Sequence, residues 1–175
     1  NFNPNNYNIT YSPGNIIVGK TALTITANND TKVYGHAQTF AGTEFVATGL
    51  QNGDGINAVT LTSAGAPSSA PANNYTIVPS APVPAQGTDL SNYAVQFVNG
   101  TDAVGQASLT ITADSQSILY GSQAPALTAT YSGFVNNETS ANLTYLPEVT
   151  TMGAAILGVG GCPIDASRPA SNNCG

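Results

Sequence analysis

The sequence repeats itself after 86 residues, and that period limits what the chain can fold into more than any other feature. Ala22-Leu23-Thr24-Ile25-Thr26-Ala27 recurs as Ser108-Leu109-Thr110-Ile111-Thr112-Ala113, and at the same shift Tyr34-Gly35 falls on Tyr120-Gly121. Gly49-Leu50-Gln51-Asn52 matches Gly133-Phe134-Val135-Asn136 at a shift of 84, and Tyr75-Thr76-Ile77 meets Cys162-Pro163-Ile164 at 87. Small insertions between fixed positions are what loop variation on a common scaffold produces. A third match is displaced in order. Asn6-Tyr7-Asn8-Ile9-Thr10-Tyr11 corresponds to Asn92-Tyr93-Ala94-Val95-Gln96-Phe97, and Gly14, Val18 and Gly19 then fall on Gly100, Val104 and Gly105.

These matches divide the chain into residues 21–106, a complete unit; 107–175, a unit that stops before its Asn-Tyr strand; and 1–20, which is that strand at the other end. The 69 residues of the second unit together with the 20 N-terminal ones come to 89, close to the intact 86. The chain reads as two repeats circularly shifted by one terminal strand.

Each unit carries the pattern of half-buried strands. Leu23 and Ile25 alternate with Thr24 and Thr26, Leu109 and Ile111 with Thr110 and Thr112, and Tyr7, Ile9 and Tyr11 with Asn8 and Thr10. Period-2 alternation rich in Thr, Tyr, Val and Ile is the strand signal. Turn formers separate the runs: Pro13-Gly14, Asn28-Asn29-Asp30, Asn52-Gly53-Asp54-Gly55 and Asn99-Gly100, the last predicting a tight hairpin. No helical periodicity extends over a full window; a short helix fits only at Glu138 to Asn142. The expected fold is all-β, two tandem Ig-like β-sandwich-type repeats with the second lacking its last strand. The alternative is a β-grasp-like unit that uses the short helix.

The motif set Leu23-Thr-Ile-Thr-Ala27, Lys32-Val-Tyr34-Gly35, Tyr131-Ser-Gly-Phe134-Val135-Asn136 and Asn6-Tyr7-Asn8-Ile9-Thr10-Tyr11 resembles the bacterial MBG repeat of the Tyr-Gly-X type. The resemblance covers nearly the whole chain in permuted order. It implies tandem modules of large bacterial surface proteins and adhesins, and it supplies no catalytic residues. Unit two departs from it in carrying Ile118-Leu119-Tyr120 where unit one has Lys32-Val33-Tyr34, and in holding both cysteines.

Composition fits an extracellular, cell-surface location. Charged residues make up 7% of the chain, against a usual value of about 25%. Asn, Ser, Thr, Gly and Ala carry the surface instead, while 41% apolar content argues against charge-driven disorder. With a formal charge of −6 and Lys20, Lys32 and Arg168 as the only cations, nucleic acid is not an expected partner. The longest apolar run, Met152 to Val159, is glycine-broken and far short of the ~20 residues of a membrane span. Without a signal peptide or an initiating Met, the sequence reads as a processed product or part of something longer. In a secreted chain, Cys162 and Cys174 predict a disulfide, two free thiols being the other reading.

No cofactor, metal or enzymatic activity is expected. His36 is the only histidine and reads as a turn residue. Asp54 lacks the alternating acids and distal Glu of a calcium loop and reads as a turn. Glu138 and Glu148 could be imagined as a glycosidase pair, but sequence spacing says nothing of their separation in space, and they read as ordinary charged residues in turns. Tyr34 and Tyr120 read as core or interface aromatics. A carbohydrate- or host-binding module is the alternative they leave open, in a chain with no Trp. Lys32 aligns with Ile118 and Lys20 with Gln106, so a repeated isopeptide crosslink is not expected. Six Asn-X-Ser/Thr sequons, Asn8, Asn74 and Asn142 among them, are what chance yields in a chain this rich in Asn and Thr.

The expected role is a structural subunit of an extracellular filament or adhesin stalk whose partner is itself, head to tail. The donor strand carries Tyr7, Ile9, Tyr11, Ile16 and Val18 into unit two of a neighbour. The competing reading is one period of a giant covalent tandem protein with the same groove filling.

Overall fold

The computed structural model of the chain describes residues 3–123, 125–151 and 164–167. Unit one contains β1 (Thr21–Ala27), β2 (Asp30–Val33), β3 (Phe45–Thr48), β4 (Ile56–Ser63), β5 (Asn73–Pro84), β6 (Tyr93–Val98) and β7 (Gly100–Gly105). Unit two contains β8 (Thr110–Ala113), β9 (Ala129–Ser132), β10 (Glu148–Thr151) and β11 (Ile164–Ser167). Three-residue 3-10 turns stand at Pro4–Asn6, Leu90–Asn92 and Ser140–Asn142. The last falls where the sequence admits a short helix, but a single 3-10 turn cannot cover a sheet as a β-grasp helix does.

Unit one is a sandwich of two sheets, one ordered β3-β1-β6 and the other β2-β7-β5-β4. Alternation in β1 sends Leu23, Ile25 and Ala27 inward, where they meet Val59, Leu61, Ile77 and Tyr93 from the opposite sheet and from β6. Both Leu23 and Ile25 are completely buried. Each such side chain contributes about 1.5–3 kcal/mol by leaving water.

The connection between the sheets departs from the sequence reading. Asn99-Gly100 is not a hairpin: β6 lies parallel to β1 in one sheet, and β7 lies parallel to β2 in the other. Thr21 faces Tyr93 and Asp30 faces Asp102, the same offset of 72 residues. So β1-β2 and β6-β7 form one long parallel ribbon that bends across both sheets. Gly100 sits at the bend, where a Cβ would stand 2.5 Å from the Asn28 carbonyl oxygen. The Asn29 side chain accepts the Thr101 N–H at 2.8 Å and fixes the crossing. Asn-Gly serves here for close backbone approach rather than for reversal, a distinction that local sequence does not carry.

Local polar groups close the ends of the unit. Lys32 Nζ, on β2, donates to the carbonyls of His36, Ala66 and Pro67. The Glu44 carboxylate accepts the N–H groups of Ala41, Gly42 and Thr43. These bonds, that of Ala41 first, hold its pKa below the ordinary 4.5. A depressed carboxylate value means stability present above the ordinary pKa and lost as pH falls through the folded one. The amide proton shifts of Ala41, Gly42 and Thr43 should therefore titrate together with a midpoint below 4.5. Glu44→Gln should abolish that titration, and a midpoint at the ordinary value would refute the arrangement.

Unit two repeats the register of unit one where both can be compared. Thr110 faces Ser132 and Ala113 faces Ala129, as Thr24 faces Thr48 and Ala27 faces Phe45. The turn after β9 repeats as well, with Asn52 and Asn136 at φ 56° and 54°. β10 and β11 pair antiparallel, as β4 and β5 do. Cys162 and Cys174, and with them the disulfide reading, lie outside the described residues.

Candidate functional site

The two units differ along one edge. In unit one, β1 and β2 lie against β6 and β7 for their whole length. In unit two, residues 107–109 and 116–119, the counterparts of the start of β1 and of β2, are in no strand. Burial follows. Leu109 is 36% exposed where its counterpart Leu23 is fully buried, and Ile118 is 38% exposed. Beside this edge a cavity of about 580 Å³ is lined by Ala107, Leu109, Gly133, Phe134, Val135 and Glu138, among others. An open strand edge next to apolar core is a template for another strand.

The N-terminal segment opens with the same capped turn that precedes β6 in unit one. The Asn3 side chain caps the Pro4–Asn6 turn by accepting the Asn5 N–H at 3.0 Å. Asp89 caps Leu90–Asn92 by accepting the Ser91 N–H at 2.9 Å, 86 residues on. The next residue leaves each turn extended, Tyr7 at φ −130°, ψ 140° and Tyr93 at φ −118°, ψ 147°. Residues 7–20 belong to no strand, and every residue from 3 to 20 is exposed. Ile16 and Val18 stand about nine-tenths in water.

The correspondence sorts the five residues assigned to the donor strand. Tyr7, Ile16 and Val18 align with Tyr93, Asp102 and Val104, all buried in unit one. Ile9 aligns with half-buried Val95. Tyr11 aligns with Phe97, which is 43% exposed.

The Tyr34-Gly35 pair marks where the two units meet. The Tyr34 hydroxyl donates to Glu138 Oε1 at 2.6 Å, and Asn136 Nδ2 donates to the Ser68 carbonyl at 3.0 Å. Gly35, at φ +95°, lies so close to Val135 that a Cβ would stand 2.6 Å from its side chain. Tyr120, by contrast, is 81% exposed, and nothing lies within 4 Å of a Cβ built on Gly121. Sequence reasoning places Glu138 in a turn and misses its contact with Tyr34, because the two are 104 residues apart. His36 is a turn residue whose N–H donates to the Val33 carbonyl. Asp54 accepts the Tyr93 hydroxyl at 2.5 Å, and Glu148 opens β10. Among the described residues, no three His, Cys, Asp or Glu side chains form a metal-holding group, and no helix is long and apolar enough to cross a membrane.

The fold and its joint define a tandem all-β repeat. A family model of the MBG domain (YGX type) matches residues 23–101 and again 109–173. The chain belongs to the MBG domain family, as two consecutive copies. Searches of curated proteins and of solved structures returned no match.

Proposed function

We propose that this chain is a structural, non-enzymatic module of an extracellular bacterial filament or adhesin stalk, joined head to tail by β-strand complementation. The donor strand, residues 1–20 of one copy, completes unit two of the next. The observation that carries this reading is the capped turn and extended tyrosine that open both the N-terminal arm and β6, in a chain whose second unit exposes Leu109 and Ile118 along the matching edge. The repeat register places Tyr7, Ile9 and Tyr11 opposite Ala107, Leu109 and Ile111, and Ile16 and Val18 opposite Gln116 and Ile118. Because β6-β7 crosses both sheets, one incoming segment completes both. Such a contact is heterologous and does not close on itself, so it propagates a fibre. The exposed Tyr120-Gly121 pair then meets the following copy as Tyr34-Gly35 meets unit two, with Asp54 standing where Glu138 does.

The test is deletion of residues 1–19. Residues 3–19 are all exposed and none belongs to the core cluster of unit one, so the shortened chain keeps that core. The full chain should form oligomers whose mean mass by light scattering rises with concentration, with beaded fibres in electron micrographs. The deletion should leave monomers; persistent fibres would overturn the reading. The same register also supports copies fused in one covalent chain, because Gly19-Lys20 leads into β1 as Gly105-Gln106 leads into unit two. Denaturing-gel mass of material from the source separates 17.7 kDa subunits from a giant chain.

A further inference from the structure

We infer that the cavity beside Glu138 is a socket for one side chain, the phenol of Tyr7 from a second copy of this chain, and that it sets the register of the joint. This rests on the strand-complementation reading and adds a named binding site to it.

Unit one contains the same site in its filled form. Tyr93, the first residue of β6, is buried. Its hydroxyl donates to Asp54 Oδ2 at 2.5 Å and accepts the Gln51 N–H at 3.0 Å. The hydrogen bond to the Asp54 carboxylate holds the Tyr93 hydroxyl above its ordinary pKa. Thr21 faces Tyr93 in the ribbon, Leu23 shares its core cluster with Leu50 packed against it, and Gly49 and Leu50 precede the Gln51 whose N–H the hydroxyl accepts.

The counterparts of these residues are Ala107, Leu109, Gly133, Phe134, Val135 and Glu138, and all six line the cavity. Their backbone is already in place. Asp54 N–H donates to the Gln51 carbonyl at 2.8 Å, and Glu138 N–H donates to the Val135 carbonyl at 2.9 Å. Gly49 and Gly133 share φ values of +102° and +111°. The repeat therefore offers the Val135 N–H and the Glu138 carboxylate to an incoming hydroxyl as Gln51 and Asp54 offer theirs to Tyr93. Glu138 also accepts the Tyr34 hydroxyl through Oε1, and a carboxylate has acceptor sites for about four donors. One acid thus ties the preceding unit and the incoming strand together. A strand displaced by one residue brings Asn6 or Asn8 to the socket, and neither fills an apolar-walled cavity with a hydroxyl at its far end. A single buried anchor of this kind fixes register where backbone pairing alone permits slippage.

The experiment titrates the chain lacking residues 1–19 with a synthetic peptide of residues 3–20 and reads affinity by calorimetry. The unaltered peptide should bind. Tyr7→Phe should weaken binding roughly tenfold to a hundredfold, the usual effect of losing a hydrogen bond to a charged group. Glu138→Gln in the receiving chain should weaken it as well, and the two changes together should cost less than the sum of each alone. A peptide that binds with unchanged affinity in both variants overturns the socket while leaving strand complementation intact. A peptide that does not bind at all overturns the complementation reading and the socket with it.

Discussion

Gly49→Ala should destabilise unit one by about 3–5 kcal/mol, read as a shift in the denaturant midpoint of its unfolding transition. Gly49 follows β3 with φ +102°, a conformation that costs an L-residue roughly 1–3 kcal/mol. A Cβ there would also stand 2.2 Å from the Ala22 carbonyl oxygen and 3.4 Å from the Leu23 Cα. These are backbone atoms of β1, held by pairing with β3 on one side and β6 on the other, so they cannot step aside. Strain and collision together place the substitution among the severe ones. Gly133 shares the strained φ, +111°, and a Cβ position 2.2 Å from the Ser108 carbonyl oxygen. Ser108 lies outside any strand, with no β6 counterpart holding it among the described residues, so Gly133→Ala should cost unit two less than Gly49→Ala costs unit one. An unshifted midpoint in Gly49→Ala would mean that β1 and the end of β3 do not approach as described.

Leu23→Ala and Leu109→Ala should separate sharply, although the two residues are the same position in two copies of one motif. Leu23 is fully buried between the sheets, and its truncation should cost about 2–5 kcal/mol. Leu109 is 36% exposed, so in chains lacking residues 1–19 its truncation should cost well under that, on the order of 1 kcal/mol. When the 3–20 peptide is added, the cost at Leu109 should rise toward that at Leu23, because the incoming strand covers it. Thermal or denaturant unfolding with and without peptide measures both. Equal costs at Leu109 in the two conditions would show that the peptide binds elsewhere.

Much of this architecture is legible in the residues. Alternation in Leu23-Thr24-Ile25-Thr26 marks β1 and its inward face, and the shift of 86 identifies β8 before any coordinates are considered. The turn at Asn52-Gly53 follows from residues that accept positive φ. The match of Asn6–Tyr11 to Asn92–Phe97 is read in the same way, by comparing one segment with another. All of these are local signals or direct comparisons of one segment with another.

The rest required the tertiary structure, for a physical reason that differs from case to case. Asn99-Gly100 carries the letters of a hairpin, yet β6 and β7 part into different sheets, because pairing partners 72 residues away decide where each strand runs. Glu138 looks like a turn acid until Tyr34 from the preceding unit meets it. Sequence by itself therefore determined the period and strands such as β1 and β8, which depend on residues close together or on self-comparison. Only the tertiary structure decided which strands pair, where the two units touch and which edge stands open, since those depend on backbone hydrogen bonds and burial between residues that the chain order keeps apart.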